Sequence, residues 1–239
     1  MKRFFATLLL AWAAAGAAAA QSDIRAMYNF AGDSPVVSLT MESLSSDGAG
    51  DTWAEAVFGI QDQAFLSLSS ARFEIDRGLN LWKNVPVLGG FSLQAGFCGR
   101  MNMDNSSFLA GIGWTAPFKR HLLKAEVLYR SFNGGASASI PLELRLLWRL
   151  HDIFGVKGLD FRGQAGAWGE KTSYWYGETE PLNGITGFSI MRANPQIWYS
   201  LAAVGAGALS AGIEAELSYN WEGCMGFRVR PAAGVKLRF

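Results

Sequence analysis

The sequence is poor in the residues that most often carry chemistry or cross-link a fold. It contains two histidines and two cysteines among 239 residues. Neither type has the spacing of a zinc site, and no glycine-rich phosphate loop stands between a strand and a helix. Cys98 and Cys224 allow at most one internal disulfide, with two free thiols as the alternative. We therefore expect no metal and no cofactor.

Charge excess and long apolar runs are also missing. Lys and Arg together number 21 and Asp and Glu 20, a net charge of +1. Such a balance gives no reason to expect binding to a nucleic acid polymer. After residue 20, no stretch reaches the roughly 18 apolar residues that a membrane-spanning helix needs. The chain is nevertheless 50% hydrophobic and 13% aromatic, so its apolar residues must be distributed in another way.

The first residues have the order of a secretory signal peptide. A short basic start precedes the apolar stretch Phe4–Ala17, and Ala18–Ala20 offers a small-residue cleavage site. No lipobox cysteine follows, so a lipid anchor is not expected. We predict a signal peptide over 1–20 and one exported domain over 21–239. An exported chain of this composition is either a periplasmic enzyme or an outer-membrane barrel.

The polarity pattern of the last segment favours the barrel. Its odd-numbered positions are apolar: Phe227, Val229, Val235, Leu237 and Phe239. Its even-numbered positions include four cations: Arg228, Arg230, Lys236 and Arg238. We call each such set of alternate positions a parity. Successive side chains of a strand point to opposite faces, and in a membrane barrel the apolar face meets lipid while the charged face meets the lumen. A terminal phenylalanine is typical of barrels whose last strand is read by the assembly machinery, which we expect to be a partner through Phe239.

Segments of the same kind recur along the chain. They cover 25–30, 37–42, 53–60, 71–76, 91–98, 108–114, 123–130, 140–149, 159–165, 191–199, 211–220 and 227–239. None carries a charge on its apolar parity, where an Arg or Lys at mid-bilayer would cost about 2–4 kcal/mol. A soluble lipocalin-like barrel or sandwich would alternate equally, but it fits the twelve segments and the aromatic content less well. The prediction is an all-β fold, a twelve-stranded antiparallel transmembrane β-barrel of the outer membrane, surrounded by outer-membrane lipid.

The polar parity predicts the lining of the lumen. It holds eleven cations and nine acids, whereas strong ion selectivity would need an excess of one sign. A balanced lumen suits a narrow pore for a neutral polar solute, or a network of ion pairs that closes the barrel. Barrels of about eight strands are filled by side chains, and barrels of about 16–18 strands enclose a water-filled channel. A barrel of twelve strands is intermediate, so its size does not decide between these two possibilities. The candidate pore-lining residues are Arg72, Glu74, Glu126, Arg130, Glu143, Arg145, Arg149, Arg162, Gln196, Trp198, Glu214, Glu216, Arg228 and Arg230.

Two groups among the candidates have a sharper interpretation. Glu214 and Glu216 face the strand of Arg228 and Arg230, so cross-strand ion pairs are expected, with solute hydroxyls or phosphate as alternative partners. The indoles of Trp168 and Trp198 could stack a base or a sugar ring.

The long connection 169–187 is expected on the outer side and contains three adjacent aromatic residues. These are Tyr174, Trp175 and Tyr176, a possible solute-stacking set. Long loops on rigid scaffolds often carry binding. The alternative is an aromatic girdle with an ordinary surface loop.

Several segments resemble a known family. Leu81–Asn84, Pro195–Tyr199, Glu214–Ser218 and the ending Gly226–Phe239 are similar to an uncharacterised family of outer-membrane proteins from Bacteroidetes, which resembles the Tsx-like superfamily of nucleoside-specific channels. The resemblance implies a twelve-stranded channel and passage of nucleosides or other small polar solutes. It assigns no nucleoside-binding residue in this sequence.

Three functions follow from these observations. The first is an outer-membrane channel for passive diffusion of small polar solutes, with nucleosides as candidates. The second is a closed structural or surface-binding barrel without transport. The third and least favoured is an outer-membrane hydrolase, because the two histidines, His121 and His151, fall at the periplasmic rim, away from the outer rim where such enzymes work. We therefore predict that the protein is not an enzyme.

Overall fold

The computed structural model describes residues 21–31, 36–63, 65–100, 106–116, 118, 120–133, 140–172, 186–221 and 226–239. The predicted signal peptide and the aromatic residues of the long connection lie outside these ranges, so both interpretations stay predictions. Among the residues described, no helix is long and apolar enough to cross a membrane.

The described chain is almost entirely β-structure. The strands are β1 (Gln21–Asn29), β2 (Val37–Ser46), β3 (Gly50–Gln63), β4 (Phe65–Leu79), β5 (Phe91–Arg100), β6 (Ser106–Thr115), β7 (Leu122–Asn133), β8 (Leu142–Leu150), β9 (Leu159–Thr172), β10 (Thr186–Ala193), β11 (Gln196–Ser200), β12 (Leu209–Tyr219) and β13 (Phe227–Arg238). Two 3-10 turns, Ile153–Gly155 and Leu201–Val204, follow β8 and β11. Sequential strands pair antiparallel, and β13 returns to pair with β1, which closes the sheet into a barrel.

One barrel strand is interrupted. Both β10 and β11 lie between β9 and β12, and Asn194 and Pro195 separate them. Proline has no N–H for the ladder, yet hydrogen bonds continue across the break, from Asn194 N to Gln164 O at 2.8 Å and from Ala215 N to Pro195 O at 3.0 Å. The two pieces therefore form one strand of a twelve-stranded barrel, and the predicted fold class is confirmed.

The polarity of the two faces is the reverse of that in a soluble barrel. Outward-facing Leu144 is 59% exposed and Phe73 48% exposed. Inward-facing Arg25 and Glu143 are 1% and 2% exposed. An apolar exterior and a polar interior are the arrangement of a transmembrane barrel.

One end of the barrel carries several turns that the structure describes. We call the end that holds residue 21 and Phe239 the terminal rim; its turns include 47–49, 80–90, 151–158 and 201–208, and His121 before β7 also lies there. In the first of these turns, Asp47 Oδ1 accepts hydrogen bonds from Ala49 N at 2.7 Å and Gly50 N at 3.0 Å. Hydrogen bonding from Arg77, and then from Ala49, lowers the pKa of Asp47 to about 2. The charged carboxylate thereby stabilises the tight turn between β2 and β3.

Candidate functional site

Ion-paired side chains fill the lumen, and Glu42 on β2 is the centre of one group. Its Oε2 lies 2.8 Å from Arg25 Nη2 and 3.1 Å from Arg162 Nη2. Its Oε1 accepts from Trp53 Nε1 at 3.2 Å and also contacts Arg149 Nη2. Five barrel strands separate β2 from β8 in either direction. The contact between Glu42 and Arg149 therefore spans the full width of the barrel.

Further contacts extend this group. Arg25 Nη2 lies 3.2 Å from Glu55 Oε2, and its Nη1 donates to Gln196 Oε1 at 2.7 Å. Arg162 Nη1 lies 2.7 Å from Asp23 Oδ2. Glu55 also pairs with Arg72 on β4. We name the residues joined by these contacts the Glu42 cluster. Its members are Asp23, Arg25, Glu42, Glu55, Arg72, Arg149 and Arg162.

A second group surrounds Arg145 on β8. Its guanidinium nitrogens lie 2.5 Å from Glu74 Oε1, 2.6 Å from Asp76 Oδ2 and 2.9 Å from Glu143 Oε1. The carboxylate of Glu126 is 3.7 Å away. One buried cation thus serves four carboxylates from β4, β7 and β8.

Two flanking cations reduce the negative charge of this Arg145 cluster. Arg130 Nη2 lies 2.5 Å from Glu143 Oε2. Lys124 Nζ lies 2.9 Å from both Glu126 Oε1 and Asp51 Oδ2. Because Asp51 is on β3 and Lys124 on β7, this pair also crosses the lumen.

The predicted cross-strand pairing of β12 with β13 is found for one carboxylate. Glu216 lies 3.0 Å from Arg230 and 3.1 Å from Arg192. Glu214 instead faces Ala232 in the register and accepts from Asn194 Nδ2 at 2.7 Å. Its expected pairing with the arginines of β13 is wrong because the register places an alanine opposite it. Arg228 is exposed at the rim opposite the termini.

The two predicted stacking indoles have cations against their rings. Lys236 Nζ lies 4.7 Å and Arg162 Cζ 6.0 Å from the ring of Trp198. Arg130 Cζ lies 4.5 Å from the ring of Trp168. A solute ring would have to displace these cations, so stacking stays a prediction. Tyr174, Trp175 and Tyr176 lie outside the described residues.

Small cavities lie between these side chains. One cavity of about 40 Å³ is lined by residues that include Glu42, Lys124, Arg149 and Arg162. Another of about 30 Å³ is lined by residues that include Arg72, Arg145 and Trp168. At these two places, side chains leave room for little more than a few water molecules.

Except for Arg228, the predicted pore-lining residues are buried or half-buried and lie on the inward face of their strands. That they line a conducting pore stays a prediction. Asp23 and Arg25 were not among the predicted lining residues, yet both are buried on the inward face of β1. Their alternation with Ile24 and Ala26 was the available signal. Glu170 is 0% exposed and lies on the same face of β9 as Gln164.

The two histidines lie at the terminal rim, and Cys98 lies inside the barrel. His151 Nδ1 lies 3.1 Å from Asp160 Oδ1, and His151 N donates to His121 Nδ1 at 3.2 Å, both at the terminal rim. Within the described ranges, no group of three His, Cys, Asp or Glu is placed to hold a metal ion. Cys98 is buried on β5, and Cys224 lies outside the described residues, so the disulfide remains untested.

Comparison with known proteins agrees with this architecture. No curated protein matches the sequence. The structure is similar to that of the NanC porin, with a TM-score of 0.54, 8% identity, and coverage of 90% of this chain and 98% of that one. It is also similar to the KdgM porin in complex with disordered oligogalacturonate, with a TM-score of 0.48, 12% identity, and coverage of 92% and 99%. At such identities the likeness to NanC shows the fold alone. Residues 22–239 match the model of the domain of unknown function DUF5020, and the chain therefore belongs to that family.

Proposed function

We propose that this protein is a non-enzymatic outer-membrane channel for passive diffusion of small polar solutes, closed in the observed conformation by ion-paired side chains. One observation carries the proposal. In the described residues, ion-paired side chains such as Arg149 and Glu42 obstruct the lumen, whose lining is largely polar. The fold that the chain shares with NanC favours a channel over a hydrolase.

The charge balance of the lumen favours solutes without net charge. Taken together, the two clusters and their flanking groups hold seven cations and eight carboxylates, so an ion of either sign would find no large excess of the other. A solute rich in hydroxyl groups can exchange hydrogen bonds with these pairs as they separate. We include nucleosides because of the Tsx-like resemblance, with a base stacking on Trp198 after Lys236 moves aside.

We also propose the orientation. The terminal rim faces the periplasm after the signal peptide is removed, Phe239 is read by the barrel-assembly machinery, and the connection 169–187 faces outward. Lipid of the outer membrane surrounds the apolar exterior.

A second candidate is a closed structural barrel without transport. The observation that favours it is the number of contacts across the lumen. Lys124 with Asp51 and Arg149 with Glu42 bridge well-separated strands, and the cavity between them is about 40 Å³. Such a network would hold the walls together and block flow.

Conductance in planar bilayers separates the two candidates. The wild-type protein should show small discrete openings, and Arg149→Ala should show larger ones because it removes the contact that spans the barrel. Glu42 keeps Arg25 and Arg162 in this variant, so the barrel should still fold. Arg120→Ala, which changes an exposed rim residue, is the matched control and should conduct like the wild type.

Added nucleosides test the solute class in the same recordings. Openings that nucleosides block support nucleoside passage, and openings without block support the channel but remove that solute. If both the wild type and Arg149→Ala are silent while gel mobility shows folded barrels, the channel proposal is wrong and the closed barrel is favoured.

A further inference from the structure

A long groove crosses the apolar exterior of the barrel. Its volume is about 850 Å³, against about 40 Å³ for the cavity beside Glu42 in the lumen. It is lined by residues of β5 to β10, β12 and β13. Its side chains include Ile112, Leu144 and Met191, which are 53%, 59% and 56% exposed. The groove therefore opens to the medium around the barrel and not to the lumen.

Two rows of outward-facing side chains form the walls of the groove. In the register, Leu146 and Ala165 stand side by side in one row, and Leu144, Ala167 and Met191 stand in the other. The rows are two residues apart on each strand, which is roughly 7 Å. This width suits a single hydrocarbon chain, and the two alanines keep the groove open on β9.

Charged residues of the same strands turn away from the groove. Glu126, Arg145 and Arg192 occupy the positions between the two rows, and their side chains are at most 12% exposed because they pair inside the lumen. They contribute only main chain to the floor. Among the described lining residues, no charged side chain faces the groove, so its occupant is apolar.

The length of the groove matches one chain of a membrane lipid. Trp114 on β6 and Tyr219 on β12 lie toward its two ends, and Trp and Tyr are enriched at the interfaces of membranes with water. Five inter-strand steps separate β6 from β12, which is roughly 24 Å at about 4.8 Å per step. One leaflet of hydrocarbon is about 15 Å thick. The groove thus has room for a whole chain laid obliquely.

A second copy of the protein fits this surface poorly. A two-fold contact places the same patch of both subunits face to face, and two facing grooves leave the space between them unfilled. A flexible hydrocarbon chain instead follows the groove and gains dispersion contacts with both walls and the floor. A phospholipid can place one of its two chains there and keep the other in the bilayer. A lipopolysaccharide carries a bundle of chains that is wider than the groove.

We propose that this groove binds one acyl chain of an outer-membrane phospholipid, which is held there while lipid around the rest of the barrel exchanges. The main chain beneath the acyl chain carries Arg145 on its lumen side, so the bound lipid supports the strands that hold the Arg145 cluster. The site belongs to the lipid-facing surface and does not depend on whether the barrel conducts.

Native mass spectrometry with a defined lipid tests the proposal. The folded barrel is stripped of lipid in detergent and titrated with palmitoyl-oleoyl phosphatidylethanolamine, and one bound lipid per wild-type chain is expected. Ala165→Leu fills the groove on β9 and should weaken binding roughly tenfold, the equivalent of about two buried methylene groups. Ala26→Leu changes an exposed alanine on β1, outside the groove. It is the matched control and should bind lipid like the wild type.

Crystals grown with a phospholipid that is brominated in its acyl chains provide a second measurement. Anomalous peaks beside Ala165 and Ala167 are expected, and they decide the question even if Ala165→Leu does not fold. The proposal is overturned if the wild type retains no lipid, if Ala165→Leu binds as tightly as the wild type, if lipopolysaccharide displaces the phospholipid, or if the groove joins two chains in a dimer. A barrel that binds the lipid here and stays silent in bilayers would support this site and overturn the channel.

Discussion

Arg145→Met should lower the free energy of unfolding by about 3–5 kcal/mol, the usual cost of breaking a buried ion pair from one side. Arg145 is 6% exposed, and the carboxylates of Glu74, Asp76 and Glu143 lie within 2.9 Å of it. Without the guanidinium, these acids would stay buried and close together with too few cations. They would then repel each other or take up protons, and both responses cost stability.

Urea unfolding of the barrel in lipid vesicles, followed by tryptophan fluorescence, measures this loss. Arg120→Met is the control because its partner Asp152 is a rim residue and Arg120 is 73% exposed; little change is expected there. Adding Glu74→Gln and Asp76→Asn to Arg145→Met should restore part of the stability, since the uncompensated charges disappear together. Equal stability of Arg145→Met and Arg120→Met would show that the Arg145 cluster does not support the fold.

Leu146→Arg should cost about 2–4 kcal/mol, the penalty for an arginine on the lipid face near mid-bilayer. Leu146 lies at the centre of β8, faces outward beside Ala125 and Ala165, and is 40% exposed. In a soluble barrel, a half-exposed leucine of this kind would accept an arginine at small cost. The substitution therefore tests directly which solvent the apolar face meets.

The same vesicle assay applies, with Val156→Arg as the matched control. Val156 is 44% exposed, similar to Leu146, but it lies in the turn 151–158 at the terminal rim. Its replacement should leave stability nearly unchanged. If both variants matched the wild type, the apolar belt would not be in contact with hydrocarbon, and the membrane placement would be wrong.

The faces of the strands could be predicted because the signal is local. A strand has a side-chain period of two residues, so Leu144, Leu146 and Trp148 are assigned to one face from the order of residues alone. The twelve segments follow from the same pattern. Even the tenth, which the structure divides at Pro195, reads as a single segment because its parity continues across the break: Met191 and Ile197 both face outward.

The partners inside the lumen could not be predicted in this way. Arg149 meets Glu42 across 107 positions of sequence, and that contact depends on barrel closure and on the register of every strand between them. A shift of two residues in one strand would keep each face and change all of its partners. Glu214 illustrates this, since its face is as predicted and its expected arginine partner is not opposite it.

The sequence by itself therefore determined the fold class, the strand count and which residues turn toward lipid or lumen, because these depend on alternation within each strand. The tertiary structure decided which charges compensate each other and how much space remains between them. In the sequence, Lys124 and Lys236 look alike, because each is a lysine at an inward-facing position of its strand. Only the closed barrel places two carboxylates beside the first and an indole beside the second, since electrostatic pairing depends on distance across the lumen and not on position along the chain.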